Sequence, residues 1–192
     1  VSTEHPDADQ DEFYPVRAAL SHLALSVGSL EASREFYRAA FGFDVSSSDY
    51  YGKGRLLSRL MEVPDCDLHG LFMRLGTFFL ELLEYAPSGR DRGATSRDDD
   101  IGIAHLSFIV EDLRRTGDAV DAAGGETRWE TQVDLSFGEG ESVALVFCTD
   151  PDGNRIEVVQ HRDEIGRGRH AAFLGAGELG WPTPEQRFDS PG

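Results

Sequence analysis

His22-Leu-Ala-Leu-Ser-Val-Gly-Ser-Leu30 and His105-Leu-Ser-Phe-Ile-Val-Glu-Asp-Leu113 are two copies of one phrase. Each is a short apolar run opened by a histidine and followed by a segment of helical spacing. At an offset of 83 residues His22 answers to His105, Leu23 to Leu106, Val27 to Val110, Leu30 to Leu113 and Gly42 to Gly125. Each copy is followed later by a strand-like run with a glutamate among apolar residues, Phe79-Leu-Glu81-Leu-Leu83 and Arg155-Ile-Glu157-Val-Val159. Two histidines and two carboxylates in a repeated frame point to a metal site at a pseudo-twofold axis.

Working outward from the first copy, residues 20–27 alternate and read as a strand. Ser29 is placed to cap a helix in which Leu30, Ser33, Phe36, Tyr37, Ala40 and Phe41 recur at helical spacing. Gly42 ends it as a glycine just past the helix does, and Phe43-Asp-Val45 starts a second strand. Residues 46–70 read as strand pieces joined by loops, with Arg55 to Leu60 a short strand or a helical turn. Leu71 to Leu75 and Thr77 to Tyr85 pair as a hairpin around Gly76.

The second copy repeats this order. Ala104 to Val110 is a strand. Asp112 caps a helix through Ala123, with Leu113, Val120 and Ala123 inward and Gly124-Gly125 as its stop. Strands follow near Thr127 to Glu130, Val143 to Thr149 and Arg155 to Gln160. Asp150-Pro-Asp-Gly-Asn154 turns between the last two, because proline presets φ and glycine accepts φ > 0. The expected class is α+β, two tandem βαβββ modules. Residues 1–19 form an acidic arm, 20–85 the first module, 86–103 a Pro-, Gly- and Asp-rich linker, and 104–161 the second module. Residues 162–192 form a tail that packs, if at all, through Phe173, Leu174 and Trp181.

Of the 192 residues, 35 are acidic and 18 basic, a formal net charge of −17. That balance argues against a nucleic-acid backbone or an anionic membrane as partner. A small-molecule substrate remains the expected partner. No apolar run approaches the roughly 18 residues of a membrane span, and the first residues lack a basic-then-apolar leader pattern. Cys66 and Cys148 are too few for a disulfide framework. A cytoplasmic setting is expected.

A glutamate in an apolar strand is costly to bury unless it is paired or binds a metal. Two such carboxylates, each matched by a histidine in the same module, satisfy each other by sharing a divalent ion. His22, Glu81, His105 and Glu157 are the expected ligands. Mixed imidazole and carboxylate ligation suits Zn, Ni, Co, Mn or Fe, with positions left for substrate or water oxygens. His5, His69, His161 and His170 have no repeat partner and read as surface residues. Glu84, three positions from Glu81, should face the other side of the sheet. Cys148 reads as a small buried hydrophobe. Tyr50, Tyr51, Arg55, Arg59 and Phe137 are candidates for the pocket wall.

The two modules, the helix text Ser33-Arg-Glu-Phe-Tyr37 with Phe41-Gly-Phe43, the Leu-Glu-Leu strand and the run Asp150-Pro-Asp-Gly-Asn-Arg-Ile-Glu157 resemble the vicinal oxygen chelate superfamily. It includes glyoxalase I, methylmalonyl-CoA epimerase, extradiol dioxygenases and bleomycin- or fosfomycin-resistance proteins. The resemblance covers about residues 20–161 and implies that the modules form a cupped mixed sheet. The His, Glu, His, Glu set looks most like bacterial glyoxalase I. By that resemblance Glu157 is the base that removes a proton beside a metal-bound carbonyl, and Glu81 is its opposite number. The resemblance also implies a homodimer, with either both modules of one chain closing a cup or modules exchanged between chains.

The chain departs from its relatives in three places. Ala32 stands near the place of an early helix arginine in glyoxalases that use glutathione. Tyr85-Ala86 lacks the polar residue those enzymes carry after the Leu-Glu strand. Gly138 to Glu141 holds no histidine, and Phe147 replaces the tyrosine of the ring-cleaving dioxygenases. The expected function is a metal-dependent lyase or isomerase. A non-catalytic metabolite- or drug-binding protein and an extradiol-type iron dioxygenase are the alternatives.

Overall fold

The computed structural model describes residues 20–86, 99, 101–136, 142–163 and 166. The expected acidic arm, most of the linker, Phe137, and the tail residues Phe173, Leu174 and Trp181 lie outside the described residues, as do His5 and His170. The first half contains β1 (Leu23–Val27), α1 (Leu30–Phe41), β2 (Asp44–Val45), β3 (Tyr50–Lys53), α2 (Arg55–Met61), β4 (Asp67–Leu75) and β5 (Phe78–Tyr85). The second contains β6 (Leu106–Ile109), α3 (Leu113–Ala122), β7 (Glu126–Ser136), β8 (Ser142–Thr149) and β9 (Arg155–His161). No helix among the described residues is long and apolar enough to cross a membrane.

Local chemistry sets the helix ends. Ser29 is extended and its hydroxyl accepts from the Ala32 N–H at 3.3 Å. Asp112 does the same for Arg115 at 2.9 Å. Gly42 closes α1 at φ 76°, where a side chain would be strained. The matching left-handed residue after α3 is Gly124 at φ 92°, one position earlier than the repeat offset places it. Gly125 is needed for space instead. A Cβ there would lie 2.4 Å from the Thr149 carbonyl oxygen and 2.6 Å from the Phe36 ring.

The stretch that sequence left open, residues 46–70, breaks one strand in two. β2 and β3 both run antiparallel to β4, with Val45 opposite Met73 and Tyr50 opposite Gly70. Serines bridge the break: the Ser46 N–H donates to the Phe72 carbonyl, and Ser47 Oγ accepts from the Phe72 N–H at 3.2 Å. Arg55 to Leu60 is helical, within α2. Its inner side chains Leu57 and Met61 cover a small cluster of Cys66, Leu68 and Leu83, while Leu56 and Leu60 are exposed.

The strands make two mixed sheets, β1-β5-β4-β2 with β3 also on β4, and β6-β9-β8-β7. Both sheets are therefore built to one plan, with β1 and β6 parallel to their neighbours and the rest antiparallel. The α+β class with two βαβββ-like modules is borne out, each module carrying its own mixed sheet.

One core joins the halves. Leu30, Phe36, Tyr37, Leu71, Leu80 and Leu82 share a buried cluster with Leu113, Val120, Val146, Cys148, Ile156 and Val158. Phe41 stacks on Phe108 across the join, with ring centroids 4.4 Å apart. Cys148 is buried there as expected, and burial pushes its thiol up to about 12.

The β8–β9 turn ties the modules together with polar bonds that sequence reasoning had read only as a turn. Asp150, 2% exposed, accepts from the Tyr37 hydroxyl of α1 at 2.9 Å. It also accepts from the N–H groups of Asp152 and Asn154 and from the Asn154 side chain. Asp152 reaches back to the first module and accepts from the Gly28 N–H at 3.0 Å and the Ser33 hydroxyl at 3.3 Å.

Tyr37→Phe removes one donor from a buried carboxylate and leaves the ring in place. It should lower the unfolding free energy by about 2 kcal/mol in urea titration; an unchanged midpoint would show that the bond contributes nothing net. Burial holds the Asp150 carboxyl above its ordinary 3.8, against the pull of Asn154 and Tyr37. A carboxyl raised on folding stabilises most while protonated, so that contribution fades as pH climbs through the folded value. The stability of the wild type relative to Asp150→Asn should thus fall as pH rises from 3.8 upward, and a rise over that range contradicts the assignment.

Candidate metal centre

In a strand, residues two apart share a face. Across the parallel β1–β5 pair Ala24 stands opposite Glu81, and across β6–β9 Ser107 stands opposite Glu157. Each glutamate is therefore opposite the residue two beyond its histidine. His and Glu share a face in both modules, and the register is the same. The face is the one turned away from the buried core, whose strand residues are Leu80, Leu82, Ile156 and Val158.

His22 Nε2 lies 3.2 Å from Glu81 Oε2, and His105 Nε2 lies 3.8 Å from Glu157 Oε2. The carboxylates are mostly covered, at 15% and 23% side-chain exposure, so each sits partly desolvated beside an imidazole. The neighbouring strand supplies a phenylalanine to each pair. Phe72 is opposite Glu81 and meets His22 edge-on at 5.3 Å; Phe147 is opposite Glu157 and meets His105 edge-on at 5.4 Å. Ser21 Oγ stands 3.0 Å from His22 Nδ1, which fixes the ring with Nε2 toward Glu81. Three residues further along, Glu84 and Gln160 lie on the opposite face and accept the first N–H of α1 and α3, from Leu30 at 2.6 Å and Leu113 at 3.2 Å.

A hydroxyl reaches each glutamate by a different route. Ser107 Oγ donates to Glu157 Oε2 at 2.8 Å. Ala24 occupies the matching place in the first module and has no donor; there the Tyr50 hydroxyl donates to Glu81 Oε1. Burial, reinforced by the Glu81 carboxylate, pushes the Tyr50 phenol well up. On the second face the Arg155 guanidinium lies 4.3 Å over the Phe147 ring and places a cation two residues before Glu157.

The other candidates scatter. Tyr51 is turned to the far face and stacks on His69 at 4.2 Å, and His69 in turn stands 3.0 Å from the Asp49 carboxylate. His69 is thus half-covered and paired, more engaged than the surface reading allowed. Arg55 and Arg59 are exposed on α2, where Arg59 joins Gly52, Lys53, Leu56 and Leu60 around a shallow cleft that holds none of the four candidate ligands. Sequence reasoning missed Ser107, Arg155 and the bond of Tyr50. Ser107 had a signal, since it sits two residues after the repeated histidine. Gly70 within an apolar strand signalled a close approach.

Within the chain the two His–Glu pairs do not combine: among the described residues no three or more His, Cys, Asp or Glu side chains form a group that could hold a metal ion. Each pair places an imidazole beside a carboxylate. An imidazole and a carboxylate side by side on an apolar floor suit a divalent ion that needs further ligands from elsewhere.

Residues 19–158 match the model of the glyoxalase/bleomycin resistance protein/dioxygenase superfamily. The chain belongs to that family, the vicinal oxygen chelate superfamily. A lactoylglutathione lyase of Arabidopsis thaliana is 27% identical over 143 residues, 72% of this chain and 43% of the relative. The chain thus matches less than half the length of that plant protein. A probable lactoylglutathione lyase of Vibrio parahaemolyticus is 26% identical over 141 residues, 73% of this chain and 89% of the relative. The crystal structure of a glyoxalase family protein from Bacillus cereus superposes with a TM-score of 0.65 at 16% identity, covering 78% of this chain and 97% of that one, which is a likeness of fold.

Proposed function

We propose that this chain is a metal-dependent lyase or isomerase of the glyoxalase and epimerase type, acting on a small substrate that carries a proton beside a carbonyl. The observation that carries this reading is the duplicated pair: a histidine and a glutamate on one sheet face, in the same register, in both modules. The lactoylglutathione lyase relatives support it. A protein that only sequesters a ligand has no need of two partly buried carboxylates, each held against an imidazole.

His22 and Glu81 would hold a divalent ion from one side, His105 and Glu157 from the other. An ion held by these residues would supply Lewis-acid polarisation of a substrate carbonyl, which makes the adjacent C–H more acidic. Glu157 takes that proton, with Ser107 holding one of its oxygens in place. Phe72 and Phe147 give the site an apolar floor that excludes water. Arg155 is placed to meet an anionic group of the substrate. With Ala32 and Tyr85-Ala86 where glutathione-using relatives carry polar groups, the thiol component is left to assay.

The partner in this proposal is a second copy. The first-module pair of one chain faces the second-module pair of the other. That no three or more such side chains group together among the described residues of one chain supports this. So does the apolar surface left open around them: Phe79 beside Glu81, and Ile109, Val133 and Leu135 on the Glu157 face, all at least 37% exposed.

Glu157→Gln should lower kcat by about a hundredfold to ten-thousandfold, the usual worth of a general base. Activity at the wild-type level in that variant removes the proton-transfer reading. A mixing experiment tests the shared site. One variant carries His22→Ala with Glu81→Gln, the other His105→Ala with Glu157→Gln. Each is inactive alone. After unfolding and refolding together they should regain activity, because a mixed dimer contains one intact four-ligand site. Absence of recovery from a refolded mixture, with wild type refolded alongside as control, places each site within a single chain.

A further inference from the structure

The two glutamates are not held alike. Glu81 is fastened at both oxygens, Oε2 by His22 at 3.2 Å and Oε1 by the hydroxyl of Tyr50. Glu157 is fastened at one. Ser107 and His105 both approach its Oε2, and among the described residues its Oε1 has no hydrogen bond.

The difference is built into the backbone of the first module. Tyr50 on β3 stands opposite Gly70 on β4, and Gly70 stands opposite Leu83, two residues beyond Glu81 on β5. The phenol therefore crosses a whole strand to reach the carboxylate, and it can do so only because residue 70 lacks a side chain. A Cβ there would lie 2.4 Å from the Tyr50 hydroxyl oxygen and from its Cζ. The ring lies on Phe72 at a centroid distance of 6.0 Å, and Phe72 in turn meets His22. Behind it the α2 side chains Leu57 and Met61 close the small apolar cluster against which Tyr50 packs. In the second module the same register positions hold Val133 and Leu145, so no counterpart of this bond exists there.

We propose that Tyr50 is a positioning residue that makes Glu81 the fixed carboxylate of the site and leaves Glu157 as the one free to turn toward substrate. This deepens the metal-site reading above and rests on it. A carboxylate already locked in one rotamer loses less freedom on taking up an ion, and hydrogen-bond partners behind a ligand commonly change metal affinity by 10- to 100-fold. The freer carboxylate is the one able to carry a proton from one carbon to another.

The test compares wild type, Tyr50→Phe, Glu81→Gln and the double variant. Each is titrated with Ni(II) against a competing chelator, with urea unfolding measured in parallel. Tyr50→Phe keeps the ring on Phe72, so the urea midpoint should move little, while the dissociation constant for Ni(II) rises about tenfold or more. In the Glu81→Gln background the same change should have little further effect, because the group it orients is gone. Equal Ni(II) affinity in wild type and Tyr50→Phe overturns the proposal and leaves the metal reading intact. Equal losses in both backgrounds overturn it as well, since they mark a packing role. A wild type that takes up no divalent ion overturns the metal reading itself, and is seen before any variant is compared.

Discussion

The parallel pairing of the first strand of each module with its last decides where the chemistry is placed. In both modules the glutamate falls opposite the residue two beyond the histidine. A slip of one residue would turn the glutamate to the helix side and bring an apolar neighbour to the histidine. The slip is prevented from the other face. Leu80 and Leu82, like Ile156 and Val158, must point into the core, and Glu84 and Gln160 must reach the first N–H of their helices. Packing and helix capping on one side thus hold the register on which the His–Glu pairing on the other side depends.

The second constraint is the turn between β8 and β9. Asp150 gathers the turn around its own carboxylate and takes one bond from the α1 side, through Tyr37. Asp152 takes two more. These bonds, with the Phe41–Phe108 stack, hold the modules by the helix side of their sheets. The histidine sides of the sheets carry exposed apolar residues, Phe79 on one and Ile109, Val133 and Leu135 on the other.

Much of this was legible in the chain because the repeat made it so. The strands, both major helices, their caps at Ser29 and Asp112, and the placement of Glu84 away from Glu81 all follow from period and capping chemistry. The repeat also misled. Its offset matched Gly42 with Gly125, whereas the left-handed turn falls on Gly124 and Gly125 serves a close contact that only the folded chain reveals. Residues 46–70 stayed ambiguous because α2 is short and its helical face packs on a local cluster of three buried residues, too few to print a clear pattern. β7 runs from Glu126 to Ser136, far beyond the segment expected, because its irregular pairing with β8 interrupts the alternation. The hydroxyls on the glutamates come from tertiary register, which spacing along one strand does not contain.

The central claim is that both pairs ligate one ion. X-ray absorption of the Ni(II)-loaded protein tests it directly, since imidazole has a distinctive scattering pattern whose amplitude counts the bound rings. Two imidazoles are expected on the ion in wild type, and one in either His22→Ala or His105→Ala. A spectrum with no imidazole, or one that loses a ring in only one of the two variants, would contradict it.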